Sequence, residues 1–75
     1  MRITYDPDAD AAYIRVVDPI EPGAAITQVS LRPDESIHAD FILDFDSEGS
    51  LLGIEILGAR RGLRPETIAA AERLN

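Results

Sequence analysis

The stretch SIHADFILDFDSEGSLLGIEIL, residues 36–57, decides the fold. Over 36–45, Ile37, Ala39, Phe41, Leu43 and Phe45 alternate with Ser36, His38, Asp40, Ile42 and Asp44. A period of two belongs to a strand with one face turned to a core. Asp46, Ser47, Glu48 and Gly49 then read as a tight turn, in which Gly49 accepts a positive φ. Residues 50–57 return as a second strand, with Leu52, Ile54 and Ile56 on one face and Leu51, Glu55 and Leu57 on the other. Ile42 joins Leu51 and Leu57 there, so the outer side of this hairpin carries apolar area suited to packing or self-association.

Upstream, residues 2–5 (RITY), 11–17 (AAYIRVV) and 25–32 (AITQVSLR) read as three more strands, rich in β-branched and aromatic types. DPDAD at 6–10, then Asp18-Pro19 with Pro22-Gly23, then Pro33-Asp34-Glu35 punctuate them. Downstream, Gly58 ends the strand run and Pro65 suits the first position of a helix. Glu66 favours the first turn and the alanine run favours its interior, so the pattern predicts a helix over 65–74. That helix turns Ile68, Ala71 and Leu74 toward a core, since ten residues are too few to be helical without docking. The expected fold is α+β: an antiparallel β-meander of four to five strands with one C-terminal helix packed on the face carrying Phe41, Leu43, Phe45, Leu52, Ile54 and Ile56. The span 1–75 reads as a single small domain.

Composition narrows the function. Ordering 75 residues costs roughly 1.5 kcal/mol each, and ten of the apolar positions are alanine, so the core comes out near break-even and gains from a partner surface. The absence of cysteine removes disulfides, thiolate zinc sites and thiol nucleophiles. No apolar run approaches the length of a membrane span and the first residues contain no apolar signal segment, so the expected location is the cytoplasm. The net charge of −7 is unevenly spread, with three arginines against twelve acidic residues in 1–59 and four against two in 60–75. An acidic body repels phosphate backbones and suits a basic protein partner. Arg60, Arg61 and Arg64 form a local basic cluster, and a solvated turn that pairs with the chain's own acidic body is the expected reading over nucleic-acid binding.

Two acidic groups invite a metal reading. Asp6, Asp8 and Asp10 begin the spacing of an EF-hand loop, but Ala11 and Val17 occupy the places of its glycine and its bidentate glutamate. Asp44, Asp46, Glu48, Gly49 and Glu55 complete that spacing, yet their flanks alternate as strands where the motif needs helices. Solvent-facing carboxylates on a hairpin are the expected reading. His38 shares one strand with Ser36 and Asp40, and side chains on alternate strand positions stand side by side at about 7 Å, too far for a triad. No glycine-rich phosphate loop or nucleophile turn is present, and Tyr5 and Tyr13 are expected to pack across the first hairpin. No catalytic, cofactor-binding or metal-ligating residue is assigned, no cofactor is expected, and the chain is not expected to be an enzyme.

ITYDPDADAAYIRV at 3–16 and ILDFDSEGSLLGIEIL at 42–57 resemble the small bacterial family known as domain of unknown function 2283. The resemblance implies a small α+β or mostly-β domain and carries no activity or site residue with it. Gly58 stands where that pattern has an acidic residue, and the tail helix is not one of its marks. Members are sometimes encoded beside small toxin-like proteins, which the resemblance turns into a leaning toward partner binding. The expected function is therefore a non-catalytic interaction domain, self-associating or holding a basic partner protein in an antitoxin-like manner. The alternative is metal or small-molecule binding at Asp44, Asp46, Glu48 and Glu55.

Overall fold

Six strands and two short helices follow the order β1 (Arg2–Asp6), β2 (Ala11–Arg15), β3 (Thr27–Leu31), β4 (Asp40–Phe45), β5 (Leu51–Leu57), α1 (Ala59–Gly62), α2 (Pro65–Ala70) and β6 (Glu72–Arg73). This computed structural model describes residues 1–74; Asn75, the last position of the 1–75 span, lies outside the described residues. The strands form one sheet in the order β3-β4-β5-β2-β1-β6. All neighbours are antiparallel except β1 and β6, which run parallel. The α+β class holds, but the sheet is mixed and six-stranded and is not the expected meander. After β2 the chain crosses to the far edge, builds β3, β4 and β5 as consecutive neighbours, and lays β5 against β2.

The hairpin at 40–57 forms as its alternation and turn residues require. Asp46 holds the turn, its Oδ1 accepting from the N–H groups of Glu48 and Ser50, both at 2.9 Å, while Gly49 takes φ 79°. Phe45 lies across from Leu51 and Asp44 across from Gly53, so Leu52 is the extra residue of a bulge. The strand expected over 36–45 starts only at Asp40. Asp34 explains the loss: its Oδ1 accepts from the N–H groups of Ser36 at 2.7 Å and Ile37 at 3.0 Å, closing a local turn that competes with the ladder. The strand expected over 11–17 ends at Arg15, because the N–H groups of Val16 and Val17 both turn to the Leu52 carbonyl.

The helix expected over 65–74 stops at Ala70, and Ala71 is extended at φ −73°, ψ 150°. Glu72 and Arg73 pair with Thr4 and Tyr5, and the Leu74 N–H reaches the Tyr5 carbonyl at 2.9 Å. Hydrogen bonds offered by the open edge of β1 thus outweigh the helix propensity of the alanine run. Leu74 is consequently 56% exposed and contributes nothing to the core it was expected to join. The four-residue α1 has no counterpart in the sequence reading. Its first amides bond to Asp10, fifty residues upstream, instead of to a local cap.

The core lies between the helices and one end of the sheet. Tyr5, Ala12, Ala39, Ile56 and Ala59 are buried, with Phe41, Ile54, Leu63, Ile68 and Ala71 packed against them. Leu52 is buried as well, whereas Phe41, Leu43, Phe45 and Ile54 of the expected core face are only half-buried. Alanines at the centre let α1 sit close: a side-chain carbon at Gly62 would press into Ala39 and stand 3.3 Å from the Phe41 ring.

Candidate functional site

Register divides the sheet into two faces. On the polar face, Tyr13 of β2 pairs with Glu55 of β5 and lays its ring over Gly53, which pairs with Asp44 of β4, itself the partner of Gln28 of β3. The Tyr13 hydroxyl donates to Asp44 Oδ2 at 3.0 Å and Gln28 Nε2 donates to Asp44 Oδ1 at 2.8 Å. Asp44 is buried under these partners. Arg15 places its guanidinium 5.3 Å from the Tyr13 ring centroid. Burial, followed by the bond to Asp44, pushes the Tyr13 phenol up to about 12. Tyr13 is therefore a neutral donor at physiological pH, and the network ties β2, β4 and β3 together across β5.

This arrangement separates the carboxylates of the acidic hairpin. Asp44 is engaged by Tyr13 and Gln28, Asp46 holds its own turn, Glu48 is exposed at the tip, and Glu55 stands between Ile42 and Tyr13 on the polar face. Among the described residues no group of three or more His, Asp or Glu is placed to hold a metal ion. The upstream acids also serve the backbone. Asp6 Oδ1 accepts from the Asp8 N–H, and Asp10 Oδ1 accepts from the Tyr5 hydroxyl at 2.8 Å and from the Arg60 N–H at 3.0 Å. Burial, followed by this bond, raises the Tyr5 phenol. His38 is exposed in the loop before β4, and Ser36 Oγ donates to Asp34. Of the basic cluster, Arg64 pairs with Glu66 at 3.1 Å.

The opposite face is apolar and only partly covered. The row Tyr5, Ala12, Ile56 and Phe41 lies beneath the helices. The next row runs Ile3, Ile14, Ile54, Leu43, Val29 across five strands without a polar residue. Val29 is 48% exposed and Leu31, at the β3 end of the first row, is 50% exposed. All of β3 is solvent-exposed. The apolar patch expected for packing or self-association, Ile42, Leu51 and Leu57, lies on the other side of the hairpin. Ile42 and Leu51 are half-buried, and Leu57 is 39% exposed.

The chain belongs to the family described as protein of unknown function DUF2283, whose model matches residues 2–60. The match takes in β1 through β5 and the start of α1, and leaves α2 and β6 outside. Curated proteins and solved structures give no significant match. Among the described residues no helix is long and apolar enough to cross a membrane.

Proposed function

We propose that this chain is a cytoplasmic, non-catalytic protein-interaction domain whose working surface is the uncovered apolar side of the sheet beside β3, and that a second copy covers it. The row from Ile3 to Val29 carries the reading. A surface of that kind, uncharged in a protein of net charge −7, lets two acidic copies meet without opposing carboxylates. The α1–α2 pair reaches only one end of the sheet, and a 75-residue chain gains from burial it cannot supply alone. The acidic remainder of the surface supports a basic protein as a further partner, held in an antitoxin-like way.

Size-exclusion chromatography with light scattering tests the assembly. The native chain is expected to run as a dimer at micromolar concentration, and Val29→Glu, placed on the exposed edge, is expected to run as a folded monomer. A native chain that is monomeric at 100-fold higher concentration than needed for detection would remove the second copy as occupant. Retention of the dimer in the Val29 variant would move the contact away from this face.

A further inference from the structure

A second surface lies at the end of the sheet that the helices cover. Arg60 of α1, Pro65, Ile68 and Ala69 of α2, and Arg73 of β6 line a cleft of about 480 Å³, within the size range of small-ligand sites. Its lining combines three apolar residues with two arginines. Both arginines are anchored through the main chain: the Arg60 N–H donates to Asp10, and Arg73 pairs with Tyr5 in the ladder. The Arg60 guanidinium lies beside the Tyr5 hydroxyl, where it opposes the rise of that phenol. Among the described residues, Arg2 is bonded to Asp18 and Glu72 and Arg64 to Glu66, whereas Arg60 and Arg73 enter no ion pair. An acidic protein thus gathers two cations that stand outside the ion pairs of the described residues around one apolar hollow.

We infer that this cleft binds a small amphiphilic anion, a phosphate or carboxylate carried on a short apolar body. The guanidinium groups take the anionic oxygens, for which their planar forks are shaped, and Pro65, Ile68 and Ala69 take the apolar part. A doubly charged phosphate monoester matches the two cations more fully than a carboxylate. Neutral and cationic ligands lack the contact that offsets dehydration of the arginines. The inference stands apart from the open sheet face, since none of the cleft residues belongs to that row.

The test is a titration of the isotope-labelled full chain followed through its backbone amide resonances, using phenyl phosphate, benzoate, inorganic phosphate and benzyl alcohol as probes. Phenyl phosphate is expected to give saturable shifts centred on Arg60, Ile68, Ala69 and Arg73. Benzoate is expected to bind more weakly at the same amides, inorganic phosphate about tenfold more weakly than phenyl phosphate, and benzyl alcohol not at all. Arg60→Gln and Arg73→Gln each lower phenyl phosphate affinity about tenfold, and the corresponding lysine variants retain part of it. Absence of saturable shifts, equal affinity in the glutamine variants, or shifts centred on Val29 and Leu43 would each overturn the assignment. Arg73→Lys guards against an effect of lost folding, because it preserves both charge and ladder.

Discussion

The side chain of Asp10 reaches the amide of Arg60 at 3.0 Å and so caps a helix that begins about two thirds of the chain away. Its main-chain carbonyl accepts two more amides, from Gly58 at 3.0 Å and Ala59 at 2.9 Å. The same carboxylate takes the buried Tyr5 hydroxyl. Asp10 also holds a φ of 50°, a region tolerated by aspartate better than by most residues. Asp10→Ala removes a cap and leaves the Tyr5 hydroxyl without a partner, an expected loss of about 2–4 kcal/mol in chemical denaturation. Asp10→Asn, which keeps an acceptor, is expected to lose less than half of that, and equal losses would deny Asp10 its role as a cap.

Gly53 lies directly beneath the Tyr13 hydroxyl and ring. A methyl group there would overlap the hydroxyl and stand 2.9 Å from the Ile14 carbonyl oxygen. Gly53→Ala is expected to destabilise the domain by about 1–3 kcal/mol, the range for overpacking a close contact. Tyr13→Phe, which removes one of the two side-chain bonds to Asp44, is expected to cost about 1 kcal/mol. Thermal melts check both, and a Gly53→Ala protein as stable as the native one would show that Tyr13 is free to move aside.

Ile56 is fully buried at the centre of the sheet, and Leu74 is largely exposed at its rim. Ile56→Ala is expected to cost about 2–5 kcal/mol and Leu74→Ala less than about 0.5 kcal/mol. Urea denaturation of the two variants separates them, and comparable losses would place the end of the chain in the core after all.

Alkaline pH weakens the fold through its tyrosines. Both phenols are raised in the folded state, Tyr13 to about 12, so the fold favours the neutral form. The corresponding stability is fully present below the ordinary tyrosine pKa of about 10 and is lost as pH rises through the folded value. Phenolate absorbance in the folded protein is expected to rise with a midpoint near 12 for Tyr13, with the melting temperature falling over the same interval. Two phenols titrating near 10 in the folded chain would contradict the burial of both rings.

The parts legible in the sequence are the local ones. Alternation from Phe41 to Phe45 and again to Ile56, with Asp46 and Gly49 between them, specifies a hairpin from neighbouring residues alone. Pairing of β2 with β5 joins residues about forty positions apart, and alternation is silent about which strands become neighbours. The alanine run promised a longer helix, and the hydrogen bonds of β1 overrode it after Ala70. Spacing alone likewise drew Asp44, Asp46, Glu48 and Glu55 into one candidate site. Asp44 is taken up by Tyr13 and Gln28, which lie on strands 31 and 16 residues away. The open row from Ile3 to Val29 was written in apolar residues throughout, but its exposure depends on how little sheet α1 and α2 cover.

The two rims of the sheet are unlike. One is β3, five uncharged residues long; the other is β6, two charged residues whose Glu72 is clasped by Arg2 at 2.9 Å. A filament requires each unit to offer two complementary ends, whereas this molecule offers one. Were two copies to join across β3, that contact would exhaust the available rim, and growth would terminate at a pair instead of running on into a fibre.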